Sequence, residues 1–387
     1  MRGTTRATKR AHGACSSTIA VSVASSAACG VASGFAPRVL EWWRSHGRKN
    51  LPWQLKPTPY RVWVSEIMLQ QTQVVTAIGY YLAFMQRFAD VHALAAAEQE
   101  QVLEAWSGLG YYARARNLHH CAQQVVNEHD GEFPQTIDAL VALRGVGRST
   151  AGAILSLAYG QVQPILDGNV KRVLCRHAGI DGWPGKSAVQ QALWALAQQR
   201  LPDAHGAAYT QAMMDLGATV CTARAASCER CPVASDCVAR NEDRVAALPT
   251  AKPKRTMPQR TSTFIIAHDQ AGAVLLERRP PSGIWGGLWC FPECTDLAQV
   301  EGRLQGLGLR AICAGKALPQ VRHTFSHFHL TITPLLLDVQ PVSNSVADDA
   351  ALRWFYPQQA DTAALAAPVA RLLACLADHI NQGKRQQ

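Results

Sequence analysis

The sequence predicts a multidomain protein in which an all-α domain is followed by a smaller α+β domain. One reason is length, because 387 residues are too many for a single ordinary hydrophobic core. A second is a helical periodicity, punctuated by glycine and proline, that occupies residues 35–240. The third is a change after about residue 260 to short strand-like runs.

Composition restricts the class of partner. Charged residues make up 17% of the chain, and no apolar run reaches the roughly 18 residues of a membrane span. Lysine and arginine number 38 against 28 acidic residues, a formal net charge of +10. This excess of positive charge suits a polyanionic partner such as DNA.

The first 34 residues form a separate segment. It has a basic start and then an Ala/Ser-rich run through Cys29, which is also the composition of a signal or transit segment. We interpret residues 1–34 as a disordered tail, or as the product of an upstream start codon chosen in error. A cysteine site further along the chain argues against export.

Helices are predicted almost throughout residues 35–240. One begins at Thr58-Pro59, with Thr as N-cap and Pro in the first turn. The others are predicted at Val74–Phe88, Leu94–Trp106, Arg114–Glu128, Ile137–Leu143, Thr150–Tyr159, Val170–His177, Val189–Leu201 and Tyr209–Val220.

A basic, proline-rich stretch at residues 241–262 is predicted to be a semi-rigid linker that can lie along phosphates. Its basic residues include Lys252, Lys254, Arg255 and Arg260. The α+β domain at 263–387 follows, with a closing helix from Ala367 to Ile380. Its strands are predicted at Thr263–Ala267, Ala273–Glu277, Phe328–Val339 and Trp354-Phe355.

Four of the twelve cysteines fall within residues 221–237, with the spacing C-x6-C-x2-C-x5-C. They are Cys221, Cys228, Cys231 and Cys237. Thiolates bind iron–sulfur clusters or zinc. A structural zinc site more often has two C-x2-C pairs, so this spacing favours one [4Fe–4S] cluster, with zinc as the alternative. Such a site indicates a reducing compartment.

A glycine-containing turn, Leu143-Arg144-Gly145-Val146-Gly147-Arg148-Ser149, lies between two predicted helices. The two glycines allow a tight turn whose N–H groups, with the following helix N-terminus, can hold DNA phosphate. This is the pattern of a helix–hairpin–helix, here over residues 136–160. A helix corner without a ligand is the alternative.

Two carboxylates are candidate catalytic groups. Glu66 lies in W-V-S-E-I-M-L, where desolvation would raise its pKa, as a general acid requires; a place on the wet face of the helix is the alternative. Asp167 lies in L-D-G-N-V-K-R, which begins the next predicted helix. A helix N-cap is the simpler explanation for an aspartate at this position.

Together these motifs resemble the DNA glycosylase superfamily that includes endonuclease III. Within it, the sequence is similar to the adenine DNA glycosylase (MutY) family through W-V-S-E-I-M-L-Q-Q-T-Q-V, G-L-G-Y-Y-A-R-A-R-N-L and L-D-G-N-V-K-R-V. The resemblance runs from about Phe35 to the end of the chain. It implies a helix–hairpin–helix glycosylase domain with an Fe–S loop, followed by a Nudix-like domain.

The resemblance also implies roles for matching residues. Glu66 would protonate the adenine, and Asp167 would stabilise the cationic sugar with Asn169 and Ser149 in support. Gln71 would fill the vacated stack, and Tyr111 would wedge beside the opposite base. The other implied DNA- or base-binding residues are Trp53, Leu69, Gly145, Gly147, Lys171 and Gln211. Core packing is the rival reading for Trp53 and Leu69, and a phosphate contact for Lys171.

Two positions in the hairpin are informative within this resemblance. Endonuclease III has a lysine after G-V-G-R, whose amine forms a Schiff base and nicks the strand. Ser149 stands there in this chain and cannot form that imine, so we expect a monofunctional hydrolytic glycosylase. Arg144 replaces the family's usual proline, which leaves the rigidity of the hairpin open.

The C-terminal domain resembles a Nudix domain through G-I-W-G-G-L-W-C-F-P-E at residues 283–293. It has no R-E-x-x-E-E helix for a divalent metal, since between Glu277 and Asp338 the only acids are Glu293, Asp296 and Glu301. We therefore expect no Nudix hydrolase activity. In the family this domain recognises 8-oxoguanine with a Phe-Ser-His loop, which matches Phe325, Ser326 and His327. We interpret His323 and His329 as strand-surface residues.

The expected function is base-excision DNA repair. The substrate would be double-stranded DNA with adenine opposite 8-oxoguanine or guanine, and the product an abasic site. We expect a monomer, without a membrane partner, in a bacterial cytoplasm and associated with the nucleoid. Two alternatives stay open: an endonuclease III-like pyrimidine glycosylase with lyase action, and a non-catalytic Fe–S DNA-binding redox sensor.

Overall fold

A computed structural model describes residues 34–253, 256–342, 351–358 and 363–385, with side chains up to 377. The tail before Gly34 and two basic linker residues, Lys254 and Arg255, lie outside the described residues. Phe35–Gln387 form one compact unit. Within the described part of the chain, no helix is long and apolar enough to cross a bilayer.

The first part of this unit is helical, and side-chain caps mark several helix starts. Thr58 Oγ1 accepts a hydrogen bond from the N–H of Arg61 at 3.2 Å, as the Thr-Pro start predicts. The helices are α1 Phe35–His46, α2 Pro59–Leu69, α3 Val74–Arg87, α4 Val91–Ala96, α5 Gln99–Ala105, α6 Ala113–His129, α7 Ile137–Ala142, α8 Arg148–Tyr159, α9 Gly168–His177, α10 Ser187–Gln199, α11 Gly206–Thr219 and α12 Val238–Asn241.

The single helix predicted at Leu94–Trp106 is wrong, because the chain forms α4 and α5 there. Ala97 and Glu98 are extended between them, with ψ of 152° and 142°. The side-chain oxygen of Gln101 accepts a hydrogen bond from the N–H of Glu98 at 3.0 Å and so begins α5 with a capping box. Apolar periodicity continued across this break and concealed it.

Two hydrophobic clusters share the helical part. One surrounds α2 and includes Trp63, Met68 and Ile154, while the other joins α1, α9 and α11. Helix α8 contributes to both, with Ile154 in the first cluster and Ala153 in the second. Helix α2, which carries Glu66, and helix α9, which directly follows Asp167, therefore belong to different clusters. The two clusters meet at α8.

The second part is built on a mixed sheet with strand order β3-β2-β1-β8-β5. Its strands are β1 Gln259–His268, β2 Val274–Arg278, β3 Trp289–Cys290, β4 Glu293–Cys294, β5 Leu309–Ala311, β6 Lys316–Ala317, β7 Val321–Thr324, β8 His329–Pro341 and β9 Leu352–Phe355. Helices α13 Val300–Gly306 and α14 Ala367–Arg385 flank it. Strand β1 begins within the stretch assigned to the linker, because Gln259–Ser262 pair with β8 in parallel register.

The sheet docks on α5 and α6. The indole nitrogen of Trp289 donates to Glu100 at 2.8 Å, and Arg116 donates to the carbonyl of Gly286 at 2.7 Å. Phe264 and Leu103 belong to one continuous buried cluster. The strand-rich part is thus joined to the helical part through a shared core.

Candidate active site

Glu66 lies on α2 between the buried residues Ser65 and Ile67 and is itself half-buried. Burial, together with the negative charge of Asp167, raises the pKa of the Glu66 carboxyl to about 8. The wet-face alternative does not describe this position. A carboxyl with that pKa carries its proton at neutral pH and can give it to a substrate.

Asp167 is the N-cap of α9. One carboxylate oxygen accepts from the N–H of Val170 at 2.7 Å and the other from the amide of Asn169 at 3.0 Å. Burial raises the pKa of Asp167, whereas these donors and the charge of Arg172 act in the opposite direction. The N-cap role is real, and it leaves a carboxylate facing the same site as Glu66.

Ser149 and Asn169 hold Asp167 in place. The hydroxyl of Ser149 accepts a hydrogen bond from the N–H of Leu166, the residue before Asp167, at 3.0 Å. Asn169 bonds to Asp167 on one side and accepts from Arg172 at 3.0 Å on the other. Gly217 packs so closely that an added Cβ would lie 2.5 Å from that of Asn169. The two support residues therefore act on the position of the carboxylate.

The hairpin between α7 and α8 is braced against α6. Gly145 has a φ of +81°, and a Cβ there would lie 2.9 Å from the Cβ of Asn117. The backbone N–H of Arg144 donates to Gln124 at 3.1 Å, and its Nε donates to Asn117 at 3.2 Å. Proline has no N–H to make the first of these bonds, so Arg144 supports the turn by hydrogen bonding instead. Gly147 is the N-cap of α8.

Gln71 and Tyr111 share an uncommon backbone conformation. Their φ values are +59° and +50°, in the left-handed region that residues other than glycine seldom adopt. Gln71 follows the end of α2, and Tyr111 lies in the loop between α5 and α6. Both are exposed, with Tyr111 at 55%. Two exposed side chains, each on a backbone held in an uncommon conformation, suit insertion into a duplex.

The residues implied for an adenine pocket differ in accessibility. Trp53 is buried and packs edge-on against Tyr81 at 5.5 Å, so core packing, the rival reading, describes its contacts. Leu69 is only partly buried against the same cluster. Gln211 is buried and donates to Asp215 at 2.9 Å, and Lys171 is half-buried in the first turn of α9.

Two structural residues were missed by the sequence reasoning. Asp215 is fully buried and accepts from Trp43 and Arg48 as well as from Gln211, with an Arg48 ion pair at 2.6 Å. Arg114 donates to several backbone carbonyls around Gln71 and Tyr111. A charged residue inside an apolar helical pattern, as in A-M-M-D-L at 212–216, was the available signal for Asp215.

The four cysteines of residues 221–237 are free thiols that line one small cavity. Buried Arg176 supports their loop, donating to the sulfur of Cys221 at 3.4 Å and to the carbonyl of Thr222 at 2.7 Å. The four thiols supply the donor set of an iron–sulfur cluster, although their side chains do not stand in a metal-binding arrangement. Among the described residues, no group of three or more His, Cys, Asp or Glu side chains is arranged to hold a metal ion.

The Phe325–His327 loop forms the tip of the β7–β8 hairpin. Phe325 is anchored by stacking on Phe328 at 4.5 Å and by Trp285 at 5.2 Å, while Ser326 and His327 are exposed. His323 lies on β7 and packs against Trp285, and His329 begins β8. The loop is held at its base and presents two polar side chains.

A cavity of about 700 Å³ lies in the strand-rich part and is lined in part by Trp285 and Phe328. Glu293, which lines it, pairs with Arg279. Glu277 on β2 pairs with Arg303, another residue of the cavity wall. The expected absence of Nudix hydrolase activity remains a prediction.

Comparison with known proteins identifies the family of this chain. Residues 64–199 match the HhH-GPD superfamily of base excision DNA repair proteins, and residues 262–375 match the NUDIX domain. Fold and site thus define a base-excision DNA glycosylase, whose helical domain precedes a Nudix-like domain as predicted. The chain belongs to the adenine DNA glycosylase family, it acts on DNA, and its activity is the removal of adenine in base excision repair.

Individual relatives cover most of the chain. The adenine DNA glycosylase of Buchnera aphidicola subsp. Acyrthosiphon pisum (strain APS) is 36% identical over 88% of this chain and 96% of its own length. The adenine DNA glycosylase of Homo sapiens is 37% identical over 86% of this chain and 72% of its own. A solved thermostable thymine-DNA glycosylase aligns with a TM-score of 0.49 and 26% identity, over 54% of this chain and 95% of that one.

Proposed function

We propose that this protein flips adenine out of duplex DNA where it faces 8-oxoguanine or guanine, and hydrolyses its bond to the sugar. The observation that carries the proposal is the contrast between Glu66 and Asp167. Glu66 holds its proton to about pH 8, whereas at Asp167, where burial also raises the pKa, two N–H donors and the charge of Arg172 oppose that rise and favour the carboxylate. Two carboxyl groups in unlike environments are what glycosidic cleavage uses.

The proposed reaction begins with transfer of the Glu66 proton to a ring nitrogen of adenine. The N9–C1′ bond then breaks, its electron pair leaves with the purine, and positive charge develops on the sugar. Asp167 stabilises that charge, and water adds at C1′ to give the abasic site. The proton released by the water returns to Glu66, which restores the starting state.

Ser149 supports hydrolysis without strand cleavage. Its hydroxyl already accepts the N–H of Leu166 and can form no imine with the sugar. Lys171, half-buried in the first turn of α9, is the candidate amine. We assign Lys171 to contact with the abasic product or its phosphate.

Base flipping is assigned to three neighbouring features. The Gly145–Gly147 turn and the N-terminus of α8 bind phosphate through backbone N–H groups. Gln71 then occupies the vacated stack, and Tyr111 wedges beside the opposite base. We assign Leu69, Trp53 and Gln211 to the adenine pocket.

Cys221, Cys228, Cys231 and Cys237 would hold one [4Fe–4S] cluster. When bound, the cluster supplies a cross-link between the four thiolates rather than an acid or a base. Ser326 and His327 would recognise 8-oxoguanine through polar contacts, with Phe325 fixing their loop. We place the protein, as a monomer, on the nucleoid of a bacterial cytoplasm.

The direct test is a base-release assay on duplexes with adenine opposite 8-oxoguanine, guanine, cytosine or thymine. We expect free adenine and an intact abasic strand, fastest opposite 8-oxoguanine, slower opposite guanine and slowest opposite the pyrimidines. Borohydride should trap little covalent complex. Strong trapping with strand nicking would contradict simple hydrolysis and would implicate an amine, with Lys171→Ala as the variant to examine.

A further inference from the structure

One guanidinium group joins the two segments that carry Gln71 and Tyr111. From the Gln71 side, Nη1 of Arg114 donates to the carbonyls of Ile67 at 2.9 Å, of Met68 at 3.1 Å, and of Gln70. From the Tyr111 side, its Nη2 donates to the carbonyls of Leu109 at 3.3 Å and Gly110 at 3.2 Å.

Arg114 makes further contacts with side chains of both segments. Its Nη2 reaches the hydroxyl of Thr72 at 3.4 Å, and its guanidinium carbon lies 5.7 Å from the centre of the Tyr111 ring and 5.3 Å from that of Trp106. The carbonyls of Ile67, Met68 and Gln70 stand at the C-terminal end of α2, where a positive charge is favourable.

We infer that Arg114 is a positioning residue that fixes Gln71 and Tyr111 relative to each other, so that both side chains enter the duplex together. Each is held in a left-handed backbone conformation, which persists only where the surroundings enforce it. Arg114 bonds to the residue immediately before each of them, Gln70 and Gly110. A planar fork with donors on two nitrogens can span the two segments, whereas the single nitrogen of lysine cannot.

The inference rests on the proposed roles of Gln71 and Tyr111 in opening the base pair. If Arg114 acts through them, its loss should matter only when a pair has to be opened. Adenine opposite an abasic analogue has no partner base, so extrusion there costs less. A residue required for the fold or for the chemistry would instead slow both substrates alike.

The experiment measures single-turnover adenine release by the full chain from adenine opposite guanine and from adenine opposite the abasic analogue. Arg114→Lys should slow the first by about tenfold or more, as expected for lost charge-assisted hydrogen bonds, and the second by less than about threefold. Fluorescence of 2-aminopurine beside the target should show reduced unstacking in the same variant. Arg114→Lys is the main variant because it keeps the positive charge. Arg114→Gln, which also removes the charge, is measured beside it if it folds.

Arg87 provides a matched control. It too pairs with nearby groups, Glu104 at 3.0 Å and the ring of Phe88 at 5.6 Å, but it lies at the end of α3 and its contacts are with neither segment. Arg87→Lys should leave both rates within about twofold of the wild type, since exposed ion pairs contribute little. An equal slowing of both substrates by Arg114→Lys would overturn the inference.

A double-mutant cycle separates this inference from the proposed function. Tyr111→Ala combined with Arg114→Lys should be no slower than the worse single variant, because both remove the same insertion step. Additive effects would overturn the inference. If Tyr111→Ala impairs opening and Arg114→Lys does not, the inference alone fails. If neither Tyr111→Ala nor Gln71→Ala affects opening, both proposals fail.

Discussion

At the scale of single residues, the environment assigns different tasks to two carboxyl groups. Glu66 is flanked by buried neighbours on α2 and has a raised pKa, so it keeps its proton near neutrality. Asp167 sits at a helix N-terminus, where backbone and amide N–H groups favour its charge. The same functional group can therefore serve as acid in one place and as charge stabiliser in the other.

Glu66→Gln should bind substrate duplex yet release almost no adenine, because the purine would have to leave unprotonated. In the wild type, the single-turnover rate should fall as pH rises through about 8, where Glu66 loses its proton. Exposed Glu41, which pairs with Arg44, gives the control Glu41→Gln. Near-normal turnover of Glu66→Gln would remove Glu66 from the role of acid.

The same substitution should raise stability at higher pH. The folded-state pKa of Glu66 lies above its value of 4.5 in a model compound, so folding binds the proton more tightly. Wild-type stability from this group is therefore present below about pH 4.5 and is lost as pH rises toward 8. Glu66→Gln lacks this loss, so its free energy of unfolding relative to the wild type should increase from pH 5.5 to pH 8 in urea titrations.

Asp167→Asn should bind DNA but show severely impaired catalysis, by about a hundredfold or more if the charge stabilises the transition state. Asparagine is as good an N-cap as aspartate, so this variant keeps α9 and removes only the charge. Asp90, which caps α4 through the N–H of Ala93 at 2.8 Å, gives the control Asp90→Asn. Full activity of Asp167→Asn in the base-release assay would reduce Asp167 to a helix cap.

At the scale of elements, the loop of residues 221–237 contains little regular structure besides the turn at Cys228–Arg230. Its order depends on Arg176 and on the convergence of four thiols on one cavity. A loop of this kind, with little regular structure of its own, gains stability from a bound group.

Cys228→Ala or Cys231→Ala should therefore remove the brown colour of the protein and destabilise residues 221–237, as followed by hydrogen exchange. Cys313→Ala is the control, because Cys313 is an exposed thiol in the strand-rich part. Elemental analysis decides the metal. Purified protein with stoichiometric zinc and no iron would show that the cluster assignment is wrong.

Elements with a strong periodic signal could be predicted from sequence, and their interruptions could not. The start of α2 at Thr58-Pro59 follows from local capping chemistry alone. The break between α4 and α5 also rests on a local capping box, Glu98 with Gln101, but continuous apolar periodicity conceals it. The early start of β1 depends on a distant partner, strand β8. Short strands such as β6 and β7 exist because β8 offers them a ladder.

At the scale of the whole molecule, the two parts share one core rather than only a linker. Glu100 on α5 bonds to Trp289 and pairs with Arg278 at 3.6 Å. The hydroxyl of Tyr112, next to Tyr111, donates to the carbonyl of Leu365 at 3.4 Å. The strand-rich part therefore contacts the loop assigned to base-pair opening as well as carrying the Phe325–His327 loop.

A fragment ending near Arg240 should still remove adenine opposite guanine, but should lose much of its preference for 8-oxoguanine. All the proposed catalytic groups precede residue 240, and the proposed lesion contacts follow it. Because the fragment exposes the face of α5 and α6 that packs on the sheet, we also expect a lower melting temperature.

Ser326→Ala with His327→Ala tests lesion recognition without exposing that face. Each lost polar contact should cost about 1–3 kcal/mol of discrimination between 8-oxoguanine and guanine, measured as the ratio of single-turnover rates. His268→Ala, at the far end of β1, is the control. Full preference in the double variant would make the strand-rich part a clamp and move recognition toward Tyr111 and Gln71.

The sequence by itself determined the class of the two domains, the family, and the identity of the groups available for chemistry. These follow from local periodicity, from capping at Thr58 and Asp167, and from the spacing of four cysteines. Only the tertiary structure decided what those groups experience. The pKa of Glu66 is raised by burial and by the charge of Asp167, which come close only when the chain is folded. Arg114 likewise hydrogen-bonds to two segments, near Ile67 and near Leu109, that only the fold brings together.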